Sequence, residues 1–211
     1  MQSLASQRFE TFWNQVAQSD ADQKLAIIGS EKPLHFSCVK NKHLCHFISN
    51  AKDTLKKAKK LGFVISTILN RYYDIIILEL TKSRETNLGL IALAEECLKD
   101  GGKMIINGDN KIGIKSFLQN ISYQWPPEIT MIKKKGRIAL YQKKNQLFGL
   151  WKKYQGFDKN SDGYYTRCDM FSPKEIDRGS RKLVSVFSTK LFGEVADLGA
   201  GWGYLSKEAL R

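Results

Sequence analysis

The apolar positions along the larger, N-terminal part of the chain alternate between helical spacing and continuous strand-like runs. Apolar residues that recur beside a polar face predict amphipathic helices over residues 7–18, 51–61, 86–99 and 113–121. Apolar runs bounded by turn residues predict strands over residues 24–28, 43–48, 73–80 and 103–107, and a further apolar run covers residues 63–69. Residues 73–80 are almost continuously apolar, which is typical of a parallel strand buried on both faces. This alternation predicts an α/β fold with a mostly parallel sheet and flanking helices.

A β-hairpin is predicted next, because two apolar stretches flank a short basic turn. The stretches cover residues 130–132 and 138–142, and the turn is the run Lys133–Arg137. The nearby pair Pro126–Pro127 is interpreted as part of a loop. With this hairpin, the first part of the chain has enough helices and strands for a complete domain.

The pattern becomes irregular between Leu150 and Tyr165, where Lys, Gly, Asp and aromatic residues replace the apolar periodicity. We place a domain boundary there and expect one domain over residues 1–155 and a second over residues 156–211. The second segment starts the β/α scheme again, with a helix at 177–187, a strand at 194–198 and a helix from Trp202. Because it holds one predicted core strand without neighbours, this segment is expected to be poorly packed on its own.

The charge balance adds a functional expectation to this fold. Lys and Arg number 34 against 21 Asp and Glu, which gives a formal net charge of +13 and a pI of about 9.5. Such an excess neutralises phosphates, so RNA or DNA is the expected partner, and a basic protein without a nucleic-acid partner is the alternative. Basic clusters interleaved with aromatic residues ahead of the second segment predict an RNA-binding surface. Its candidate residues are Lys133, Lys134, Lys135, Arg137, Lys143, Lys144, Lys152 and Lys153.

Several classes of protein are disfavoured by the rest of the sequence. No apolar run reaches the roughly 20 residues of a membrane span, and the N-terminus lacks the order of a signal peptide, so a cytoplasmic protein is expected. Four cysteines without a Cys-x-x-Cys pair predict reduced thiols and no disulfides. His and Cys side chains crowd residues 35–46, but their spacing suits zinc poorly, and no metal site is expected.

The run Asp197–Gly203 carries the strongest chemical signal in the chain. A predicted strand ends in an acidic residue and passes through the alternating Gly199, Gly201 and Gly203 into a predicted helix. Bare glycine backbone at the start of a helix suits a nucleotide or a related cofactor. The spacing differs from the Gly-x-Gly-x-x-Gly of dinucleotide-binding folds, which disfavours a nucleotide-dependent oxidoreductase. A purely structural strand-turn-helix is the alternative interpretation.

The segments on both sides of the domain boundary resemble one family of enzymes. Residues 162–165, 171–172, 177–180 and 195–205 resemble, in order and spacing, the entry to the catalytic domain of bacterial 16S ribosomal RNA guanine-N2 methyltransferases. Residues 73–80, 101–103, 108–116 and 135–137 resemble the N-terminal half of the same enzymes. The resemblance implies a first domain with a degenerate methyltransferase-like, Rossmann-type fold that binds no cofactor and helps to hold RNA. The run Gly29–Pro33, which lacks alternating glycines, is consistent with this.

The same resemblance implies S-adenosylmethionine as the cofactor of the second segment and small-subunit ribosomal RNA as the partner. Asp197 and the backbone of Gly199, Gly201 and Gly203 would approach the methionine part of the cofactor, whose sulfonium and amine favour a nearby carboxylate. A lead-in loop would cover the cofactor, and its residues are Phe171, Ser172, Asp177, Gly179 and Ser180. On their own, these five residues also fit a turn, a helix cap or ordinary packing.

One part of the family's pattern is missing. Members of the family transfer the methyl group with a downstream Asn/Asp-Pro-Pro-aromatic motif, which aligns the guanine amino group for attack on the sulfonium methyl. The sequence does not contain this motif, so its catalytic residues are unknown and we expect a copy truncated at the C-terminus. Two hypotheses follow. The chain is an incomplete copy of a methyltransferase for the guanine N2 amino group, or it is a non-enzymatic RNA-binding remnant of such an enzyme.

Truncation after Gln155 tests the domain assignment. Because the second segment is expected to contribute little buried surface, its removal should leave the melting temperature almost unchanged. Thermal unfolding of the full and the truncated chains, followed by circular dichroism, measures the difference. A melting temperature many degrees lower for the truncated chain would contradict the assignment.

Overall fold

The computed structural model describes residues 3–16, 22–69, 72–144, 148–187 and 193–210. The chain divides into two compact units, Met1–Lys152 and Lys153–Arg211, which we call unit 1 and unit 2.

Unit 1 is built on a seven-stranded sheet. Its strands are β1 (Leu25–Ile28), β2 (Cys45–Ile48), β3 (Val64–Ser66), β4 (Tyr73–Glu79), β5 (Leu98–Asp109), β6 (Ile129–Lys133) and β7 (Gly136–Gln142). Their order across the sheet is β3-β2-β1-β4-β5-β7-β6. Strands β1 to β5 pair in parallel, whereas β7 runs antiparallel between β5 and β6. The predicted α/β fold with a mostly parallel sheet is confirmed.

The helices of unit 1 follow the predicted pattern closely. They are α1 (Leu4–Val16), α2 (Lys52–Lys60), α3 (Arg84–Cys97) and α4 (Ile114–Ser122), and residues 17 and 18 of the first predicted helix lie outside the described residues. Helix α3 begins earlier than predicted because the Ser83 hydroxyl accepts a hydrogen bond from the backbone N–H of Thr86, at 3.2 Å. Residues 98–102, predicted as a helix end and a turn, instead extend β5.

The main hydrophobic core lies between the sheet and helices α1 and α2. Phe9, Phe12 and Trp13 of α1 pack with Ala58 of α2 and with alternate residues of the central strands. Alternate side chains of a strand point to opposite faces of the sheet, so this core contains every second side chain of each central strand. Burial of each large apolar side chain stabilises the fold by about 1.5–3 kcal/mol relative to its exposure.

The opposite face of the sheet packs against α3 and α4. Between α4 and β6, the side chain of Trp125 is buried, and its indole Nε1 donates a hydrogen bond to the carbonyl oxygen of Gln142 at 2.7 Å. Its ring packs on Tyr141 with centroids 4.3 Å apart, and burial raises the pKa of the Tyr141 hydroxyl to about 12. Pro126–Pro127 follows directly, in the connection from α4 to β6, as the predicted loop requires.

A buried arginine joins α1 to the C-terminal half of the sheet. The Arg8 side chain is 0% exposed, and its guanidinium donates to Asn107 Oδ1 at 2.8 Å and to Asp109 Oδ1 at 2.9 Å. It also donates to the carbonyl oxygen of Lys134, at 3.1 Å, in the turn between β6 and β7. One buried guanidinium therefore links α1 both to the end of β5 and to the β6–β7 turn.

The turn of the hairpin has an unusual backbone for its sequence. Lys134 and Lys135 both have positive φ, at 52° and 56°, as a two-residue type I′ turn requires. Residues other than Gly, Asn and Asp adopt this conformation at a cost of about 1–2 kcal/mol each. The Lys135 carbonyl accepts a hydrogen bond from Asn110 N at 2.9 Å, which with Arg8 holds the turn in place. The predicted hairpin is thus confirmed, and three consecutive lysines lie at its tip.

The described part of unit 2 contains short elements only. They are an antiparallel ribbon of β8 (Asp158–Lys159) with β9 (Tyr165–Thr166), and the helices α5 (Arg178–Ser185) and α6 (Tyr204–Ala209). The two helices predicted here are confirmed. Among residues 153–187 and 193–210, Thr166 alone is buried. This agrees with the expectation that the segment is poorly packed on its own.

The strand predicted over residues 194–198 is wrong. Residues 193–197 have no regular secondary structure, and Leu198 begins a turn with its side chain 93% exposed. A parallel strand needs a neighbour for its backbone hydrogen bonds and a helix to cover its apolar side chains. In the described part of unit 2, residues 193–198 have no neighbouring strand, so the apolar pattern alone does not produce a strand.

Gly136→Ala tests the packing of the hairpin against α1. A Cβ at Gly136 would clash with the Arg8 guanidinium and lie 2.5 Å from the carbonyl oxygen of Gly108. We expect a loss of about 3 kcal/mol in the free energy of unfolding, because neither neighbour can move without breaking its own contacts. Urea unfolding measures this loss in the free energy of unfolding.

The matched control is Gly149→Ala, since a Cβ there has no neighbour within 4 Å and the backbone is not left-handed. It should change the free energy of unfolding by less than about 0.5 kcal/mol. Equal effects of the two variants would show that the Arg8 contact does not constrain the hairpin.

Candidate functional site

The glycine loop of unit 2 has a backbone that only glycine adopts readily. Gly199, Gly201 and Gly203 all have positive φ, at 83°, 60° and 87°. No atom lies within 4 Å of a Cβ built at Gly199 or Gly203, so conformation rather than crowding requires glycine at these two positions. The loop backbone is therefore open to close approach by a ligand.

Asp197 lies at the start of this loop and is tied to the helix that follows it. The Ser206 hydroxyl donates to Asp197 Oδ2 at 2.7 Å, and the Asp197 side chain is half-buried. Helix α6 starts directly after Gly203, whose carbonyl oxygen accepts a hydrogen bond from Lys207 N at 3.0 Å. The Asp197 carboxylate and the three glycines therefore lie in one short loop, residues 197–203.

The lead-in loop contacts the glycine loop through its backbone. Trp202 Nε1 donates a hydrogen bond to the carbonyl oxygen of Phe171 at 3.0 Å, while the Phe171 ring is 72% exposed. Ser172 has a positive φ of 45°, and its hydroxyl donates to the Glu175 carbonyl oxygen at 2.7 Å. No sequence pattern indicates this contact by Trp202, which joins two of the predicted site segments.

Three other lead-in residues form a helix cap. The Asp177 carboxylate accepts from the backbone N–H of Ser180 at 3.0 Å, at the N-terminus of α5. A Cβ at Gly179 would lie 3.0 Å from Asp177 Oδ2, so a larger residue would disturb the cap. Of the interpretations left open for Asp177, Gly179 and Ser180, the helix cap describes the local geometry.

An aromatic cluster supports the glycine loop from the side of the ribbon. We define it as Tyr164, Trp202 and Tyr204, whose ring centroids lie 4.8–6.0 Å apart. The Lys207 ammonium lies 4.5 Å from the centroid of the Tyr164 ring, within cation–π range. These contacts link the ribbon, the glycine loop and α6, although the side chains of unit 2 are mostly exposed.

The carboxyl ends of β1 and β4 in unit 1 are closed by side chains. The strand order reverses between these two strands, which is where open α/β sheets usually bind ligands. Glu79 fills this crevice: its carboxylate accepts a hydrogen bond from the Ser30 hydroxyl, and its Oε1 lies 2.7 Å from His35 Nδ1. A Cβ at Gly29 would clash with the Glu79 carbonyl oxygen. The crevice holds a protein hydrogen-bond network where related sheets leave room for a ligand.

The candidate RNA-binding residues fall into two groups in space. Lys133, Lys134, Lys135 and Arg137 belong to the hairpin tip, and Gly136 beside them pairs with Asp109 at the carboxyl end of β5. Lys143 and Lys144 follow the other end of β7, about 20 Å away for a seven-residue strand. Consequently, the structure does not bring these clusters together into one groove.

Lys143, Lys152 and Lys153 make other contacts within the protein. Lys143 Nζ donates to the Leu98 carbonyl oxygen at 2.6 Å and is largely buried. Lys152 forms an ion pair with Glu96, and Lys153 lies 5.1 Å from the centroid of the Tyr154 ring. Lys144 is exposed.

Further cations accompany the hairpin tip. Segments that follow the carboxyl ends of the parallel strands carry exposed basic side chains, which no local sequence pattern connects because they are far apart along the chain. They are Lys32 after β1, Lys82 and Arg84 after β4, and Lys111 after β5. We call these residues, together with the tip lysines Lys133, Lys134 and Lys135, the basic carboxyl edge of unit 1. Its exposed ammonium and guanidinium groups suit a polyanion.

The crowded His and Cys residues at 35–46 have other roles. His46 Nδ1 lies 2.9 Å from the Tyr73 hydroxyl, and burial raises the pKa of the Cys38 thiol to about 11 and that of Cys45 further. Across the described ranges, no group of three His, Cys, Asp or Glu side chains could hold a metal ion. None of the helices in these ranges combines the length and apolar character that a membrane crossing requires.

Comparison with known proteins links this chain to methyltransferases. A family model for the Methyltransferase small domain matches residues 164–211. Ribosomal RNA small subunit methyltransferase C of Haemophilus influenzae (strain PittEE) is 30% identical over 168 residues, which cover 76% of this chain and 48% of that protein. The protein of the same name from Buchnera aphidicola subsp. Acyrthosiphon pisum is 27% identical over 198 residues, with coverages of 87% and 56%. The chain spans about half the length of the curated relatives it matches.

Solved structures share the fold at low sequence identity. A T. thermophilus 16S rRNA N2 methyltransferase in complex with AdoMet and guanosine matches with a TM-score of 0.64 and 12% identity, over 84% of this chain and 51% of that one. TrmN from Thermus thermophilus matches with a TM-score of 0.52 and 9% identity, over 67% of this chain and 52% of that one. These matches show the methyltransferase-type sheet and its flanking helices.

Glu79→Ala tests the network that closes the crevice of unit 1. The change leaves the largely buried Ser30 and His35 without their shared acceptor, which should lower the free energy of unfolding by about 1–3 kcal/mol. Urea unfolding of the variant measures the loss. The control is Glu31→Ala at a neighbouring exposed carboxylate, for which we expect a change below about 0.5 kcal/mol. If both variants unfold at the same urea concentration, the network does not stabilise unit 1.

Proposed function

Since the chain belongs to the ribosomal RNA small subunit methyltransferase C family, we propose that it takes part in S-adenosylmethionine-dependent methylation of a guanine N2 amino group in small-subunit ribosomal RNA. In this reaction, unit 2 contributes to the cofactor site and unit 1 holds the RNA. The single observation that carries the assignment is the glycine loop with its carboxylate and its Trp202–Phe171 hydrogen bond, because all of them lie within the segment that matches a methyltransferase domain.

The glycine loop fits S-adenosylmethionine in charge and in shape. The half-buried Asp197 carboxylate offers a negative charge to the sulfonium and the amine of the methionine part. Gly199 and Gly203 leave open space beside the backbone, where a side chain would otherwise keep a ligand away. When bound, S-adenosylmethionine supplies the methyl group that its sulfonium carries.

The lead-in residues divide into two roles in this proposal. The exposed Phe171 ring covers the cofactor, and the backbone bond from Trp202 together with the Ser172 turn fixes its distance from the glycine loop. Asp177, Gly179 and Ser180 act indirectly, because their cap fixes where α5 begins. Substitution of a cap residue should therefore change cofactor affinity indirectly, because it alters how well the lead-in loop is ordered.

Unit 1 holds RNA through its basic carboxyl edge. The tip lysines are exposed, and the Arg8 contact to the Lys134 carbonyl fixes the backbone of their turn, so only their side chains lose freedom when they bind phosphates. Lys144 and Lys152 lie away from this edge along the chain, and together with Lys153 they would add weaker, non-specific attraction. A protein with this partner acts where ribosomal subunits are, which we take to be the cytoplasm.

RNA holding without methyl transfer is the second candidate function. It is favoured by the irregular backbone at residues 193–197, since a cofactor loop normally follows a strand that is paired within a sheet. No residue of the chain is assigned to methyl transfer itself, because the Asn/Asp-Pro-Pro-aromatic motif is absent from the sequence. Binding of the cofactor separates the two candidates.

Titration of the chain with S-adenosylmethionine, followed by calorimetry, tests the proposal. We expect measurable binding that weakens about tenfold in Asp197→Asn, because the variant removes the carboxylate that faces the positive sulfonium and amine. The isosteric change keeps an acceptor for the Ser206 hydroxyl, so the loop should remain folded.

Asp158→Asn is the matched control, since Asp158 is an exposed carboxylate of unit 2 outside the glycine loop. Its affinity for the cofactor should equal that of the unchanged protein. Absence of heat at saturating cofactor would overturn the methyltransferase proposal for this chain and leave RNA holding. Equal weakening by both variants would remove Asp197 from the site.

A further inference from the structure

A groove lies on unit 1 between helix α4 and the β6–β7 hairpin. Its volume is about 370 Å³, which is within the usual range for small-ligand sites. The groove is on the face of the hairpin opposite the main core, because Met131 and Ile138 turn toward α1 while Thr130 and Arg137 turn toward α4. The lining residues are Lys115, Leu118, Gln119, Ser122, Tyr123, Pro127, Thr130 and Arg137.

The lining is cationic. Lys115 and Arg137 contribute two positive charges, and the lining contains no carboxylate. Within the described part of the chain, neither residue has a salt bridge. Two cations without an ion-pair partner favour an anion that accepts charge-assisted hydrogen bonds from the Lys115 ammonium and the Arg137 guanidinium. A phosphate group meets this requirement.

The end of the groove carries an exposed aromatic ring. Tyr123 directly follows α4, lines the groove and is 97% exposed, the most exposed large apolar residue among those described. An aromatic face in this position contributes little to folding but is a surface on which a nucleobase can stack. Gln119 and Ser122, on the same side of α4, add hydrogen-bonding groups between the cations and the ring.

We propose that this groove binds one unpaired nucleotide of RNA, with its phosphate on Lys115 and Arg137 and its base stacked on Tyr123. The inference rests on the proposed function in so far as RNA is the partner of unit 1. A base within a duplex is already stacked on its neighbours and cannot lie on a tyrosine ring, so the occupant is single-stranded. The site therefore distinguishes an RNA loop or bulge from a paired RNA helix, which the basic carboxyl edge alone does not.

The position of the groove supports this assignment. Arg137 pairs with Ile132 in the hairpin register and is separated from the tip lysines only by Gly136. An RNA strand that contacts Lys133, Lys134 and Lys135 with its phosphates can therefore place an adjacent nucleotide in the groove. The tip would supply affinity for any RNA, while the groove would supply selectivity for unpaired nucleotides.

The test compares two RNA probes with equal numbers of phosphates, a hairpin with an unpaired loop and a fully paired duplex. Fluorescence anisotropy at fixed salt gives the dissociation constant of each for the full chain. Tyr123→Leu should weaken binding of the looped RNA by about tenfold, the effect of one stacked base, and leave the duplex unchanged. Lys115→Gln should weaken binding and reduce the salt dependence by about one phosphate contact.

Tyr72→Leu is the matched control, because Tyr72 is another exposed tyrosine of unit 1, with 69% of its surface accessible. It should bind both probes as the unchanged protein does. Equal binding of looped RNA by the Tyr123→Leu and Tyr72→Leu variants would overturn the groove assignment but leave RNA holding intact, provided that changes to the tip lysines still weaken binding. If the unchanged chain binds neither probe, both the groove assignment and the RNA-holding role are wrong.

Discussion

The arrangement of unit 1 depends on the burial of the Arg8 guanidinium. Its charge is tolerated inside the fold only because Asn107, Asp109 and the carbonyl oxygen of Lys134 accept its hydrogen bonds. These partners come from the end of β5 and from the β6–β7 turn, so one side chain of α1 fixes the antiparallel part of the sheet. The absence of a side chain at Gly136 makes room for the guanidinium. The two-residue connection of this hairpin requires a left-handed backbone at Lys134 and Lys135, and it holds three lysines at the carboxyl end of the sheet.

The carboxyl ends of the unit 1 strands lie where open α/β sheets usually bind ligands, but the residues at this edge differ from those of a ligand site. Where the strand order reverses, Glu79 joins Ser30 and His35 in a network that occupies the crevice, and the surrounding loops carry lysines and an arginine instead of glycine-rich turns. Unit 2 differs from unit 1 in both its burial and its loops. It has little buried surface, but it carries the glycine loop, a carboxylate and a lead-in segment joined by the Trp202–Phe171 hydrogen bond. A division of roles follows, in which one unit provides a stable basic surface and the other provides the backbone that suits a cofactor.

The order of helices and strands in unit 1 could be predicted from the sequence because its apolar periodicity is strong, as in β4 and α3. Local patterns failed where the outcome depends on a distant partner. Residues 194–198 have the composition of a strand, yet the described residues of unit 2 provide no neighbour for it. Lys143 has the appearance of a surface cation, but its ammonium reaches the Leu98 carbonyl. Arg8 and the Tyr123 groove gave no sequence signal, since both depend on contacts between segments that are far apart along the chain.

Under the proposed function, S-adenosylmethionine binds the glycine loop of unit 2 and not the crevice of unit 1. Ultraviolet cross-linking of isotopically labelled S-adenosylmethionine to the full chain, followed by peptide mapping, tests it most directly. We expect a labelled peptide that contains residues 197–203. Label on a peptide that carries Ser30 or Glu79 of the unit 1 crevice, or no label within residues 153–210, would contradict it.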